Sequence, residues 1–469
     1  MRKIIILSLT FFIIWVFTPH IPGTENPSQQ PRNEDYIVFS LSGKVLQIEN
    51  NLLTIQTEDK AFYFFDPSSA RVLSSVMPQK GDWVTLRYVG HLLEKQISPK
   101  ATLLSIEVFP PPAPETPVPL PYPKKWDDKG IFSASYLKAY EKLQSMSLAE
   151  KAGQIFLARC PSQNPRQIIE SFHPGGFVLF ATDFSDKTKD EVINTLSSYQ
   201  RTASVPMLLA VDEEGGTVVR VSKNSNLAET PFLSPQALYR FDGMDAIYQD
   251  AVLKSQLLLS LGLNVNLAPV CDVSVSSYDY IYPRTFGKSA EETANYISTV
   301  VQAMEEQNFS SVLKHFPGYG NNSDTHTGIA IDNRSYDTFQ KEDFLPFHAG
   351  IEAGAPAILV AHTIVNCIDD STPASLSLPV HQVLRETLSY TGIIITDDLS
   401  MDAISKYTKE ESPALTALKA GNDLIIVTDL NNAYHSVLSA AEDGSLPEEL
   451  LDRAVFRILA WKYQKGILK

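Results

Sequence analysis

Eight short apolar runs, separated by helical stretches, constrain this chain more than any other feature. They fall at residues 154–157, 176–180, 207–211, 264–268, 311–313, 357–360, 392–395 and 424–427. Runs this short, apolar throughout rather than alternating, read as strands buried on both faces of a parallel sheet. Eight such units predict an α/β fold built as a (β/α)8 TIM-type barrel, with a doubly wound open sheet as the competitor.

The polar residues beside these runs bear on that choice. Asp212 follows the third run, Asp272 lies just beyond the fourth, Lys314 and His315 follow the fifth, His362 the sixth and Asp397 the seventh. A barrel gathers such positions around one mouth, where active sites of this fold sit; an open sheet would spread them along an edge. Any one of them alone is as easily an ordinary loop residue.

Three motifs carry chemistry. In ITDDLSM an apolar strand runs straight into Asp397 and Asp398. A carboxylate held that rigidly suits attack on an anomeric carbon or metal ligation, and Asp398 is placed to cap a following helix. In KHFPGYGNNSDTH two glycines and a proline predict a turn-rich, mobile loop. There Asp324 and His326 have the spacing of a carboxylate–imidazole pair that can give and take a proton. In VDEEGGTVVR a strand ends in acids, so Asp212 can accept sugar hydroxyls or cap a turn. Arg284, in PRTFG, can grip a hydroxyl or a carboxylate.

The first quarter of the chain is different. Arg2 and Lys3 precede an apolar stretch to Phe17, the pattern of an export signal, yet no small-residue cleavage site follows. Residues 1–22 therefore read as a signal peptide or a retained N-terminal membrane anchor, 23–35 as a polar linker, and the protein as extracytoplasmic, secreted or anchored. Residues 36–108 hold runs at 36–41, 44–48, 52–56, 61–65, 83–89 and 103–108 that predict a small all-β, OB- or SH3-like module. Its role is a spacer or docking unit. Residues 109–126 form a linker, with eight prolines between 109 and 123, and 127–469 the barrel. The formal net charge of −15 is the reverse of what gripping phosphate backbones needs, so nucleic acid is excluded as a partner. Cys160, Cys271 and Cys367 are too few for a disulfide framework.

Taken in order, VDEEGGTVVR, NLAPVCDV, PRTFG, KHFPGYGNNSDTH, VAHTIV, PASLSLPV and ITDDLSM resemble glycoside hydrolase family 3, in its bacterial β-N-acetylhexosaminidase branch, over about residues 135–469. The resemblance implies a (β/α)8 barrel and a retaining two-step mechanism. It gives Asp397 the place of the nucleophile, His326 that of the acid/base and Asp324 that of its dyad partner. Asp212, Arg220, Arg284, Lys314 and His315 match positions that bind N-acetylglucosamine. It implies no metal, no organic cofactor, a GlcNAc-containing oligosaccharide as substrate, from peptidoglycan or chitin, and a monomer. The chain departs from the pattern at Tyr319, where the family has histidine, and in a loop one residue shorter before Asp324.

Three alternatives remain open. A β-glucosidase or β-xylosidase of the same family would lack the Asp-x-His loop. A metal-dependent barrel hydrolase would use His315, His326, His362 and Asp397 as ligands, but the His-x-His of an early strand is missing. A non-catalytic glycan-binding relative would have a degenerate acid/base loop. Because residues 1–125 lie outside the resemblance, their removal is expected to leave kcat/KM on small soluble glycosides within about twofold. Steady-state kinetics of the truncated protein check this, and a folded but inactive truncation would contradict it.

Overall fold

The computed structural model describes residues 38–49, 52–57, 60–68, 70–73, 77–90, 92, 101–109, 122–320, 322, 330–400, 404, 407 and 411–469. The export segment, the polar linker, most of the proline-rich stretch, and both Asp324 and His326 lie outside the described residues. Among the described residues no helix is long and apolar enough to cross a membrane. The chain divides into two compact units, Met1–Pro119 and Leu120–Lys469.

In the first unit β1 (Phe39–Glu49), β2 (Leu52–Gln56), β3 (Phe62–Phe65), β4 (Arg71–Val72), β5 (Trp83–Gly90) and β6 (Ala101–Phe109) form one sheet, in the order β3-β2-β1-β5-β6-β4. It wraps a core of its own around Val45, Leu53, Ile55, Val84 and Leu86. Two strands were expected over residues 36–48, but the structure has one. The β1–β5 ladder runs unbroken from Phe39 to Lys44, and a register shift between Val45 and Gln47 lets the same strand continue along β2.

The second unit is the barrel. Its strands are β7 (Phe156–Arg159), β8 (Gly176–Leu179), β9 (Leu208–Val211), β10 (Val265–Asn266), β11 (Ser310–Phe316), β13 (Ala357–Val360), β15 (Ile393–Thr396) and β16 (Ile425–Val427). They lie side by side in chain order, every ladder between them parallel. Pairing of β16 with β7 and a bridge from Ile395 to Leu424 close the circle. Nearly every strand residue is buried, which is why the runs are apolar throughout. A short parallel pair, β12 (Ile331–Asp332) and β14 (Ile364–Val365), lies outside the ring. Three outer helices start at Ser-x-x-Glu or Thr-x-x-Glu capping boxes: Ser147 with Glu150, Thr188 with Glu191, and Ser289 with Glu292.

The two faces of the barrel carry different chemistry. At the N-terminal face, Asp423 accepts hydrogen bonds from the Ile394 N–H (3.0 Å), Arg385 (2.7 Å) and Arg457 (3.1 Å). Burial alone would raise its pKa, but Arg457 and Arg385 outweigh burial and hold it below the usual carboxylate range. This network ties strand, loop and C-terminal helix together, and it serves stability. The polar groups at the C-terminal face remain for function.

One buried charge in this scaffold has no counter-ion among the described residues. Lys462, on the helix Glu448–Gln464, is 0% exposed, and its ammonium donates to Gln154 Oε1 at 2.8 Å. Burial pushes its pKa down to about 7 from an ordinary 10.5. The unfolded chain holds the extra proton between those values. Stability therefore rises as pH climbs from about 7 towards 10.5, and the penalty is full below 7. Lys462→Met is expected to stabilise the protein by on the order of a few kcal/mol at pH 6, and by less at pH 9. Urea denaturation at the two pH values checks it; an equal gain at both would remove the charge from the explanation.

Candidate active site

The C-terminal ends of β9 and β11 meet through one buried ion network. Lys314, within β11, places its ammonium 2.6 Å from Asp212 Oδ1 and 2.6 Å from Glu214 Oε1. Arg284, on the loop after β10, donates from Nη2 to Glu214 Oε1 (2.7 Å) and from Nε to Glu214 Oε2 (3.0 Å), a bidentate clamp. Burial opposes charge on all three groups, and pairing wins. Lys314 and Arg284 hold Glu214 well below the usual carboxylate range. Asp212 and Glu214 hold Lys314 above its ordinary value, and Glu214 does the same for Arg284.

The network continues into His315. Arg284 Nη2 lies 3.1 Å from His315 Nε2, and His315 Nδ1 lies 2.7 Å from Asp272 Oδ2. A guanidinium only donates, so Nε2 must accept and the ring proton sits on Nδ1, donated to Asp272. Asp272 Oδ1 in turn accepts the Tyr319 N–H at 2.7 Å. Lys314 and His315 were expected just after the fifth strand; they lie inside it, because β11 runs to Phe316.

Residues 316–320, expected as a mobile loop, are buried. Gly318 has φ +125°, and a Cβ there would come 2.2 Å from Asp343 Oδ1. Arg334 pins the same turn by bridging Asp343 (2.7 Å), Asp332 (2.8 Å) and the Gly318 carbonyl (3.4 Å). Apolar and ionic contacts from distant segments thus hold a turn whose local composition is permissive.

Glu213 shapes the loop after β9. It is fully buried, and its carboxylate accepts the N–H groups of Arg220 (2.7 Å), Val221 (2.7 Å) and Ser222 (3.2 Å), plus the Ser222 hydroxyl. The loop therefore folds back around Glu213 and carries Arg220. The Arg220 Nε is buried and has no hydrogen-bond partner among the described residues.

Asp397 leaves β15 half-buried. Its N–H donates to the Val360 carbonyl (3.0 Å), and its Oδ1 accepts the Asp398 N–H (2.8 Å). Phe316, Val360 and Thr396 share one register row across β11, β13 and β15. His315 precedes that row by one residue and Asp397 follows it by one, so both lie at the C-terminal ends of their strands, with β13 between those strands. Most of the residues just after Ser400, where Asp398 was expected to cap a helix, lie outside the described residues. Asp398 accepts the Ser400 N–H (3.0 Å) and the Thr428 hydroxyl (2.8 Å) on its carboxylate. Its carbonyl accepts His362 Nε2–H at 3.0 Å, while His362 Nδ1 lies 2.7 Å from the Ser375 hydroxyl. The ring nitrogens of His315 and His362 are thus committed to protein partners. Among the described residues no group of three or more His, Cys, Asp or Glu is placed to hold a metal ion.

The structure joins Asp212, Lys314, Arg284 and His315 in one network, with Glu214 bridging Lys314 to Arg284. It puts Arg220 on the Asp212 loop and Asp397 on the same rim. Two contributors were missed as site residues, Glu214 and Asp272. Each is an acid just past an apolar strand, the signal that singled out Asp212. Their partners, however, are 70 and 43 residues away.

Paired ions, a strand-end carboxylate and a guanidinium unpartnered among the described residues thus lie at the C-terminal face of a parallel barrel. Residues 147–461 match the family described as glycosyl hydrolase family 3 N terminal domain. The chain belongs to glycosyl hydrolase family 3 and is, as an enzyme, a glycoside hydrolase. It is 32% identical over 270 residues to a β-hexosaminidase of Xanthomonas campestris pv. campestris (strain B100), covering 57% of this chain and 80% of that one. It is 30% identical over 294 residues to a β-hexosaminidase of Xylella fastidiosa (strain M23), covering 61% and 85%. Among solved structures it resembles a family 3 β-N-acetylglucosaminidase from Paenibacillus sp. str. FPU-7, with TM-score 0.64 and 29% identity. That match covers 69% of this chain and 63% of the other, a little under two thirds of its length.

Glu214 is the anion shared by two buried cations. Glu214→Gln is expected to cost roughly 3 kcal/mol of stability and at least about tenfold in kcat/KM. Denaturant titration and steady-state kinetics check both. Wild-type stability would mean that Asp212 alone can hold Lys314.

Proposed function

We propose that the chain is an exo-acting, retaining β-N-acetylglucosaminidase that removes terminal non-reducing GlcNAc. Asp397 attacks the anomeric carbon and forms a covalent glycosyl-enzyme as the glycosidic bond breaks. His326, oriented by Asp324, gives its proton to the leaving oxygen. The imidazole then takes a proton from water, whose oxygen attacks the same carbon and releases Asp397. Asp212 and Lys314 face the sugar hydroxyls, with Arg284 and His315 behind them, and Arg220 offers an unspent guanidinium. The observation that carries the proposal is Asp397 itself, a carboxylate fixed by its own backbone on the rim that also bears the Lys314 network. The names of the relatives and the solved β-N-acetylglucosaminidase support the choice of sugar.

Charge supports a neutral, chitin-type oligosaccharide over a carboxylate-bearing cell-wall fragment. Two of the three basic groups that could welcome a carboxylate are already engaged, Lys314 by Asp212 and Glu214, and Arg284 by Glu214, which leaves Arg220. The surplus of carboxylates at the mouth suits the positive charge that builds on the sugar in the transition state. The basic-then-apolar N-terminus supports export, by a cleaved signal or a retained anchor, to where such glycans are found.

Asp397→Ala is expected to lower turnover of an aryl β-N-acetylglucosaminide by about 10⁴-fold or more. Near wild-type rates would refute the nucleophile. His326→Ala is expected to slow natural oligosaccharides by roughly 10²–10³-fold while activated aryl glycosides lose much less, because a good leaving group needs little protonation. Equal losses on both substrates would argue against the acid/base role.

A further inference from the structure

The loop between β10 and the helix Ala290–Glu306 displays aromatic residues that the hydrolytic chemistry leaves unused. Tyr278 is 97% exposed, Tyr280 is 43% exposed and Val275 is 68% exposed, within six residues of one another. A single exposed aromatic needs no explanation, but a group of them beside a catalytic mouth does.

This loop is braced rather than slack. It starts at Asp272, bonded to His315, and returns at Arg284, bonded to Glu214 and His315. Between these anchors Ser274 donates to Asp279 (2.7 Å), and Gln236 donates to the Tyr282 carbonyl (2.8 Å). Ile281, fully buried, packs in a small cluster with Tyr319 and Ala361. Tyr319 joins the loop to the site. Its ring meets the His315 ring edge-on at 5.2 Å and the Tyr280 ring at 6.5 Å. The Tyr280 ring therefore lies within about 12 Å of His315, within the span of a short oligosaccharide. Tyr319 is also where the sequence departs from its family's histidine.

We propose that Tyr278 and Tyr280 form the binding platform for the sugar on the leaving-group side of the scissile bond, and that Tyr319 holds this platform in place. The proposal rests on the glycosidase reading above. The apolar face of a pyranose packs on an aromatic ring, and a tyrosine loses little conformational entropy in presenting that ring. Residues 273–283 contain no lysine or arginine, and the carboxylate of Asp279 is engaged by Ser274. The platform therefore takes an uncharged leaving sugar, such as a further N-acetylglucosamine, and offers nothing to a carboxylate-bearing one.

The test compares the N-acetylglucosamine trisaccharide of chitin with N-acetylglucosaminyl fluoride, whose leaving group has no ring to stack. In Tyr278→Ala/Tyr280→Ala the ratio of kcat/KM for trisaccharide over fluoride is expected to fall about tenfold. The paired Phe variant is expected to keep most of that ratio. Tyr278→Ala alone, at a nearly fully exposed position, is expected to shift the ratio in the same direction without disturbing the fold. An unchanged ratio in all of these variants would overturn the platform. If the wild-type protein cleaves neither substrate, the glycosidase reading fails. Calorimetric titration of the full chain with the trisaccharide then decides the platform, which equal affinity of wild type and double variant would overturn.

Discussion

One buried ammonium organises the C-terminal face of this barrel. Lys314 sits between Asp212 and Glu214 with its side chain almost removed from water. Such a charge is tolerated only when its partners are in contact and are themselves held. Each of them is. Glu214 is clamped by Arg284, Arg284 abuts His315, and His315 is fixed by Asp272. Six side chains from three strand ends and one long loop are thereby locked into a single arrangement before any substrate arrives, which is the condition for electrostatic catalysis without reorganisation. The opposite face uses the same device around Asp423 for cohesion alone.

This network also bears on the proposed choice of an uncharged sugar. Its cations look, in the sequence, like receptors for an acidic ligand. Once Lys314 and Arg284 are matched to Asp212 and Glu214, Arg220 stands out as a guanidinium with an unpartnered buried nitrogen. A surplus of carboxylate around a developing oxocarbenium ion is favourable, whereas the same surplus around a carboxylate-bearing sugar is not. The aromatic loop points the same way, since tyrosine rings recognise the uncharged faces of a sugar.

Much of this was legible in the sequence, and the exceptions have physical causes. The barrel strands were readable because burial on both faces leaves short apolar runs, and Asp212, Lys314, His315 and Asp397 because they interrupt apolarity at strand ends. Strand limits were less readable: β11 carries Lys314 and His315 within its bounds, at a register shift of the ladder, since long-range pairing rather than side-chain polarity sets where a strand stops. Glu214 and Asp272 were visible as acids near strand ends but not as site residues, because their meaning lies in partners far along the chain. The turn at residues 316–320 looked mobile because glycine and proline describe local freedom, while its rigidity comes from Arg334, Asp343 and Asp272.

The central claim is that Asp397 becomes covalently joined to the sugar. A fluorinated N-acetylglucosaminyl fluoride, with a ring substituent that slows breakdown of the intermediate, tests this when the labelled protein is digested and its peptides are weighed. The account predicts one added glycosyl mass, on the peptide that contains Asp397, and its loss on reactivation. A label on another residue, or steady turnover of the reagent with no labelled peptide, would contradict it.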